Sequence, residues 1–137
     1  MAEGAPTAMD KRTVLVVDDE PSIRDLIVVV LEEEGYRALA AGSGVFALHL
    51  VATEQPDLVL LDMMMPQMDG RETLRRLRQL PEGQTTPVVV MSAAVTAANV
   101  GDGVAAFIGK PFDLGALLET IAGILDGRSL GDSIAES

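Results

Sequence analysis

Residues 14–21 read VLVVDDEP, an apolar run that passes directly into three acidic residues and a proline. A continuous run of aliphatic residues, with no alternating polar positions, is typical of a parallel strand covered on both faces. Proline is favoured in the first turn of a helix, so Pro21 indicates a helix start. The predicted apolar face of that helix is formed by Ile23, Leu26, Ile27, Val30 and Leu31. The stretch therefore predicts a buried strand, an acidic loop and an amphipathic helix, in that order.

The order of strand and helix recurs along the rest of the chain. Further strands are predicted at residues 37–41, 58–61, 88–91 and 105–108. In the helix after the second strand, the residues expected to face inward are Val45, Leu48, Val51 and Ala52. A third helix is predicted to begin at Gly70, and Asp113 is predicted to cap a final helix. This alternation predicts an α/β domain, a doubly wound five-stranded parallel sheet with strand order 2-1-3-4-5.

The composition limits the chain to one folded domain of ordinary size. Its 137 residues are 48% hydrophobic and 23% charged, the balance of a globular domain. We expect residues 12–126 to form that domain, residues 1–11 a flexible leader and residues 127–137 a flexible tail. No apolar run approaches the ~18 residues of a membrane span and no signal peptide is visible, so we expect a cytoplasmic protein without membrane insertion.

Charge and cysteine content exclude several classes of function. The formal net charge is −11, from 10 basic and 21 acidic residues. A field of that sign repels phosphate backbones, so direct DNA binding is not expected. The concentrated basic segment, which contains Arg71, Arg75, Arg76 and Arg78, is interpreted as a solvated helix face. The chain has no cysteine, which excludes disulfides and thiolate nucleophiles or metal ligands.

Polar side chains follow the predicted strands at the point where each strand ends. Asp18 and Asp19 follow the first strand, Asp62 the third, Ser92 the fourth and Lys110 the fifth. These four strands are neighbours in the predicted order, so their carboxyl ends should bring the side chains into one site. Three carboxylates in one place raise each other's pKa unless a cation lies among them, and an all-oxygen cluster suits Mg²⁺.

Each of these residues, taken alone, also has a structural interpretation. An aspartate at a strand end commonly caps the helix that follows, and a serine there commonly bonds the backbone. The functional interpretation therefore depends on the joint placement of the whole set.

Five short motifs give the chain a resemblance to the response-regulator receiver domains of two-component signalling. They are residues 14–20 (VLVVDDE), 57–62 (DLVLLD), 65–70 (MPQMDG), 91–93 (MSA) and 110–112 (KPF). The resemblance covers about residues 12–126 and implies the flavodoxin-like form of the doubly wound sheet. It also implies a phosphorylation-controlled signalling switch, which catalyses its own phosphotransfer and is not a metabolic enzyme.

The resemblance implies a phosphoacceptor and a metal site. Asp62 would take the phosphoryl group from a sensor histidine kinase or a phosphorelay protein, and the chain would then control a downstream protein whose identity is not implied. Mg²⁺ would be bound directly by Asp19 and Asp62, largely through water by Asp18, and by the backbone carbonyl of Met64.

Other residues are implied to bind the phosphoryl group or to report it. Lys110 and the hydroxyl of Ser92 would each hold a phosphoryl oxygen, and Phe107 would turn inward as the switch aromatic when Ser92 moves. The same resemblance implies a cis peptide bond between Lys110 and Pro111. Phosphoryl transfer needs in-line geometry and positive charge more than proton chemistry, which agrees with these roles.

Two other classes of protein remain as alternatives. Aspartate-nucleophile phosphatases have a second Asp two residues after the nucleophile, where this chain has Met64. A phosphorylation-independent scaffold with the same fold would not need the complete set of acids, hydroxyl and lysine. The resemblance also implies that the residues two past Asp62 and two past Ser92 tune the access and orientation of the hydrolytic water. These residues are Met64 and Ala94, and neither side chain can hold a water by a conventional hydrogen bond, so slow autodephosphorylation is expected.

The segment between Ser92 and Lys110 departs from the receiver pattern. It spans 110 − 92 = 18 positions, fewer than receivers usually carry, and must hold both the fourth helix and the fifth strand. The residues available for the helix, 96–104, include Gly101 and Gly103, and each glycine in a helix interior costs ~1 kcal/mol relative to alanine. We therefore expect a shortened fourth helix of about one or two turns, or an irregular loop.

Overall fold

The computed structural model describes residues 11–92 and 104–136, with side chains as far as residue 126. Its strands are β1 (Thr13–Val17), β2 (Arg37–Ala41), β3 (Leu58–Asp62), β4 (Val88–Ser92) and β5 (Ala106–Gly109). The described helices are α1 (Pro21–Glu33), α2 (Gly44–Glu54), α3 (Gly70–Leu77) and a C-terminal helix (Leu114–Glu136), with a short 3₁₀ turn at Pro81–Gly83. All strand pairs are parallel and their order is β2-β1-β3-β4-β5, which confirms the predicted doubly wound sheet.

The strand register brings the carboxyl ends of four strands to one edge of the sheet. Val17 of β1 pairs with Leu61 of β3. Ser92 of β4 pairs with Gly109 of β5. The residues that come next along the chain are therefore neighbours in space, and the sheet builds one site from distant parts of the sequence.

Both faces of the sheet are covered, which explains the unbroken apolar runs of the central strands. Every residue of β1, β3 and β4 is buried. On one face, strand residues pack with α2 and α3 in a cluster that includes Leu15, Val17, Val51, Val59, Leu61, Leu74 and Leu77. On the other face, α1 and the C-terminal helix contribute to a cluster that includes Val14, Val16, Ile27, Leu58, Leu60, Leu117 and Ile121. Burial of aliphatic side chains, worth ~1.5–3 kcal/mol each, is the main stabilising contribution.

Local sequence signals set the helix ends as expected. Pro21 opens α1, and Gly35 follows the end of that helix with a φ of 95°, a conformation that favours glycine. Asp69 caps α3, since its side chain accepts a hydrogen bond from the Glu72 backbone N–H at 3.0 Å. The Asp113 carboxylate accepts a backbone hydrogen bond in the same manner at the start of the C-terminal helix.

The prediction of the inward face of α2 is wrong at its first residue. Val45 is 66% exposed, and the buried positions of α2 are Gly44, Ala47 and Val51. Gly44 lies directly against α3, where an added Cβ would collide with Thr73 Oγ1. This close approach of two helices sets the rotation of α2 and turns the next residue, Val45, toward solvent.

The apolar face of α1 is narrower than predicted. Ile27 and Leu31 are buried against the sheet, whereas Leu26 is 50% exposed. Successive residues of a helix are ~100° apart, so a residue next to the buried Ile27 is turned toward the rim of the interface. Leu26 lines a cavity of about 430 Å³ near the carboxyl edge of the sheet, together with Ile23, Ile27, Lys110, Pro111, Phe112 and Leu114.

The predicted leader and tail lie at the two ends of the chain. The C-terminal helix continues to Glu136, so the predicted tail, residues 127–137, is helical as far as Glu136, and its flexibility stays a prediction. The predicted leader lies outside the described residues, apart from residue 11. The predicted shortened fourth helix, residues 96–104, also lies outside them, apart from Val104. Within the described part of the chain, no helix is long and apolar enough to cross a membrane.

Candidate functional site

The carboxyl edge of the sheet gathers the predicted site residues. One carboxylate oxygen from each of Asp18, Asp19 and Asp62 lies within 4.8 Å of the others. Lys110, which follows β5, places its Nζ 2.7 Å from Asp18 Oδ2 and 3.5 Å from Asp62 Oδ2. Ser92 ends β4, and its backbone carbonyl accepts a hydrogen bond from the Lys110 backbone N–H at 3.0 Å. These five residues therefore lie together at one edge of the sheet.

Asp18 is held by hydrogen bonds at both of its carboxylate oxygens. The residue is fully buried. Its Oδ1 accepts a hydrogen bond from the Glu20 backbone N–H at 2.9 Å, and its Oδ2 accepts one from Lys110 Nζ at 2.7 Å. A buried carboxylate needs such partners because an uncompensated buried charge is strongly destabilising. Asp18 is therefore a fixed anchor of the acidic loop.

Asp62 combines burial with a carboxylate that is held less closely than that of Asp18. Its Oδ1 accepts a hydrogen bond from the Met64 backbone N–H at 3.0 Å. Burial raises the pKa of the Asp62 carboxyl above its ordinary value, and the hydrogen bond from Met64 opposes this effect. The charges of Asp18 and Asp19 raise the pKa further, whereas the charge of Lys110 lowers it. A cation beside the cluster would favour the ionised form of Asp62.

Lys110 remains a cation in this environment. Burial by itself would lower the pKa of the Lys110 ammonium, but the hydrogen bond to Asp18 and the charges of Asp62 and Asp18 outweigh it, so the pKa is raised. The ammonium lies closer to Asp18 than to Asp62. It therefore supplies positive charge between two of the three carboxylates.

The donor set fits a hard divalent cation. Three carboxylates face one ammonium, so the cluster keeps an excess of negative charge. Asp19 is exposed, and among the described residues no hydrogen bond or ion pair engages its carboxylate. Oxygen donors in this arrangement suit Mg²⁺, which takes one or two carboxylates and keeps several waters. Met64, whose side chain is largely exposed, follows Asp62 by two residues.

Ser92 and Phe107 lie on adjacent strands. Ser92 is buried at the end of β4. Phe107 pairs with Val90 of β4 and packs, partly buried, against the core cluster on the α2–α3 face of the sheet. The β4–β5 pairing is therefore the physical connection between the serine and the aromatic ring. The Lys110–Pro111 bond that follows β5 is cis, as predicted.

Sequence reasoning missed a residue that bonds the acidic loop. Arg24, in α1, donates a hydrogen bond from Nη1 to the backbone carbonyl of Asp18 at 3.1 Å. Its guanidinium lies beside Gly42, where an added Cβ would be 2.8 Å from Nη1. The sequence signal for this contact is weak, because a charged residue on an amphipathic helix normally belongs to the solvated face.

Comparison with known families identifies this arrangement. Residues 14–122 match the family model of the response regulator receiver domain. The chain belongs to this family. The match includes β1 from Val14 onward, the other four strands, the acidic loop and Lys110, so the receiver resemblance of the sequence is confirmed.

Individual receiver proteins support the same conclusion. The chain is 35% identical over 125 residues to sporulation initiation phosphotransferase F of Bacillus subtilis, covering 88% of this chain and 99% of that protein. A CheY-like receiver domain protein from Methanospirillum hungatei superposes with a TM-score of 0.80 at 28% identity, covering 87% of this chain and 97% of that one. The receiver domain of the sensor histidine kinase PA1611 from Pseudomonas aeruginosa, solved with a magnesium ion in its active-site cleft, gives a TM-score of 0.75 at 24% identity, covering 82% and 95%.

The family establishes the general function of the chain. It is a receiver domain of the kind found in two-component and phosphorelay systems, a phosphorylation-controlled signalling switch. Mycobacterial response regulators that it matches are longer, and the chain spans about half of their length, 55% in one case.

Proposed function

We propose that Asp62 accepts a phosphoryl group from a sensor histidine kinase or a phosphorelay protein, with Mg²⁺ as the cofactor. The observation that carries this proposal is the position of the Asp62 carboxylate. It is buried, lies within 4.8 Å of two further carboxylates, and has Lys110 Nζ 3.5 Å from its Oδ2. This combination provides a nucleophile, a cation site and a fixed positive charge at one point, which phosphoryl transfer requires.

The metal ligands would be Asp19 and Asp62 directly, Asp18 largely through water, and the backbone carbonyl of Met64. The hydrogen bonds support this division. Both Asp18 oxygens already accept hydrogen bonds, one of them from Lys110, whereas the Asp19 carboxylate has no such partner in the described part of the chain. The receiver domain of PA1611 holds a magnesium ion in its active-site cleft, which supports the same cofactor for the acidic cluster here. The ion would supply positive charge to the phosphoryl oxygens when bound.

The reaction is an in-line transfer with the Asp62 carboxylate as the nucleophile. One carboxylate oxygen forms a bond to phosphorus while the bond from phosphorus to the donor's histidine nitrogen breaks. The Met64 N–H holds Oδ1 of Asp62, which leaves Oδ2 for the attack. Lys110 Nζ lies beside that oxygen, so it can bind an oxygen of the transferred group without a large movement. Little proton transfer is required of the protein.

Ser92 and Phe107 would convert the modification into a change of shape. The Ser92 hydroxyl would bind a phosphoryl oxygen, and Phe107 would move inward in response. Their positions on adjacent strands support this role, because Ser92 is buried at the site and Phe107 is only partly buried beside the core. A downstream protein would recognise the altered surface. We expect this protein and the phosphoryl donor to lie in the cytoplasm.

Acetyl phosphate with Mg²⁺ tests the phosphoacceptor without a kinase. The intact mass of the chain should increase by one phosphoryl group, and Asp62→Asn should abolish the increase. Asp69→Asn is the matched control, because Asp69 caps α3 outside the acidic cluster and asparagine caps a helix equally well. Undiminished phosphorylation of Asp62→Asn would refute the assignment. Failure of the unmodified chain to react would favour the phosphorylation-independent scaffold.

A further inference from the structure

The carboxylate of Asp19 lacks the anchors that its neighbours have. Both oxygens of Asp18 accept hydrogen bonds, and one oxygen of Asp62 accepts a hydrogen bond from Met64. Asp19 is exposed, and within residues 11–92 and 104–126 its carboxylate makes no hydrogen bond or ion pair. The direction of this side chain therefore depends on the backbone that carries it.

The backbone around Asp18 is fixed from two sides. The Asp18 N–H donates to the carbonyl of Ala41 at 3.1 Å. The Asp18 carbonyl, which belongs to the peptide that links it to Asp19, accepts a hydrogen bond from Arg24 Nη1 at 3.1 Å. Because a peptide unit is planar, a bond to its carbonyl fixes the orientation of the whole unit. Arg24 comes from α1, where its own N–H donates to the Glu20 carbonyl at 3.0 Å.

Gly42 provides the space that the Arg24 guanidinium occupies. An added Cβ would lie 2.8 Å from Arg24 Nη1 and 3.8 Å from its Cζ. Apart from the two chain neighbours of Gly42, no other described atom would lie within 4 Å. Gly42 does not have a positive φ, so its backbone conformation is open to alanine. The obstacle is the end of a flexible side chain. Gly42→Ala should therefore displace the guanidinium and leave the fold intact.

We propose that Arg24 is a positioning residue of the metal site. By holding the Asp18 carbonyl it directs the Asp19 carboxylate toward the divalent cation, and Gly42 keeps the place of the guanidinium open. The inference rests on the proposed Mg²⁺ site and adds two residues to it. It concerns metal affinity more than the chemical step, because the hydrogen bond of Arg24 goes to the main chain and not to Asp62.

A titration with Mg²⁺ in the absence of a phosphodonor tests the proposal. Backbone amide chemical shifts report the binding and give the dissociation constant. Loss of a group that orients a metal ligand typically weakens affinity by ~10–100-fold, and we expect about tenfold for Arg24→Ala because it acts through the main chain. Gly42→Ala should cause a smaller loss of the same kind. Gly42→Ala added to Arg24→Ala should have no further effect, because the methyl group then meets no guanidinium.

Arg78→Ala is the matched control. Arg78 also donates to backbone carbonyls, those of Gly83 and Thr86 at 2.7 Å each, but in the loop before β4, at the opposite edge of the sheet. This variant should lose stability and keep its Mg²⁺ affinity. The proposal is overturned if the affinity of Arg24→Ala stays within about twofold of the parent. It is also overturned if Gly42→Ala weakens binding equally with and without Arg24.

The acetyl phosphate assay separates this inference from the proposed function. In Arg24→Ala the Mg²⁺ concentration for half-maximal phosphorylation should rise, while the rate at saturating Mg²⁺ changes less. A chain that binds Mg²⁺ but takes no phosphoryl group would defeat the proposed function, and the titration would still decide the role of Arg24. A chain that does not bind Mg²⁺ would overturn both.

Discussion

Two groups of opposite charges in this receiver domain have nearly the same distances and very different surroundings. On α3, Glu72 lies 2.6 Å from both Arg75 and Arg76, and these side chains are 33% to 57% exposed. At the acidic edge, Lys110 lies 2.7 Å from Asp18, with exposed fractions of 16% and 0%. Distance alone therefore does not distinguish the surface cluster from the pair that belongs to the site.

Burial decides what each group contributes. On α3, the hydrogen bonds from Arg75 and Arg76 lower the pKa of Glu72 to about 2. Water and salt nevertheless screen both ion pairs of this surface cluster, so they contribute little to stability. The Asp18–Lys110 pair is shielded from water, so the loss of one partner leaves an uncompensated buried charge. The surface cluster should tolerate substitution, whereas loss of either member of the buried pair should affect both the fold and the proposed metal site.

The largest effect is expected for Lys110→Met, which keeps the length and apolar stem of the side chain and removes its charge. The Asp18 carboxylate would lose one of its two hydrogen-bond donors and keep only the Glu20 backbone N–H. It would then lie near the Asp62 carboxylate with no ammonium between them. We expect the free energy of unfolding without Mg²⁺ to fall by about 3 kcal/mol, the lower end of the range for breaking a buried pair. Chemical denaturation in the presence of a chelator measures this change.

Added Mg²⁺ should recover part of that loss, because a cation that binds the folded state stabilises it. Phosphorylation by acetyl phosphate should remain strongly reduced at saturating Mg²⁺, since the positive charge beside Asp62 is missing. If Lys110→Met is as stable as the parent without Mg²⁺, the buried pair contributes no more to stability than the α3 cluster. Burial would then not distinguish the two groups of charges.

Arg78 is an intermediate case, a partly buried cation that bonds carbonyls. Burial lowers the pKa of its guanidinium, and Nη1 donates to the carbonyls of Gly83 and Thr86 at 2.7 Å. Arg78→Met should lower the free energy of unfolding by about 2 kcal/mol, because hydrogen bonds to charged groups contribute ~1.5–3 kcal/mol and these are partly exposed. Arg71→Met, at an exposed position of the same region, is the control and should be nearly neutral. Equal losses for the two variants in denaturant titrations would contradict the prediction.

Burial also explains which parts of the molecule the sequence could predict. The runs at 14–17, 58–61 and 88–91 predicted strands, because burial on both faces leaves no polar position in them. Each residue proposed to bind the metal or the phosphoryl group follows closely after such a run, or follows the weaker fifth strand, so topology was enough to bring Asp62 and Lys110 together. The receiver motifs agreed with that placement, and both the sheet order and the family are confirmed.

The features that the sequence did not predict depend on packing at the scale of an ångström. Topology placed Lys110 near two carboxylates but did not show that Asp18 is the closer one. Helical spacing predicted that α2 has an apolar face, but it did not show on which residues that face is centred. Val45 is therefore exposed where burial was predicted. Arg24 was missed because its contact is with a backbone carbonyl, which carries no signature in the sequence.

Tyr36 allows the effect of burial on a pKa to be measured for a group that is neutral except at high pH. Burial raises the pKa of this phenol above its ordinary value of 10.0, the carboxylates of Asp126 and Glu34 raise it further, and Arg12 lowers it. The chain has one tyrosine and no tryptophan, so the ultraviolet absorbance of tyrosinate reports Tyr36 alone. We expect a midpoint above 10.0 in the folded chain and a smaller shift in Asp126→Asn.

The raised pKa of Tyr36 has a defined effect on stability. A group whose folded-state pKa is raised contributes its stability fully below the unfolded pKa and loses it as pH rises through the folded pKa. The free energy of unfolding should therefore fall as pH rises through and beyond 10.0. A tyrosinate midpoint that is the same in native buffer and in denaturant would show that the environment of Tyr36 has no effect.

The smallest effect is expected for Glu72→Gln, although it removes the charge at the centre of two contacts of 2.6 Å. At neutral pH and physiological ionic strength the free energy of unfolding should not change measurably, because both ion pairs are exposed and screened. The pKa of Glu72 is lowered from 4.5 to about 2, so any contribution is present above about pH 4.5 and is lost as pH falls toward 2. At low ionic strength, parent and variant should therefore converge over that acidic range and differ slightly above it. A loss at neutral pH as large as that of Lys110→Met, measured by the same denaturant titration, would mean that contact distance and not burial determines the strength of these charge pairs.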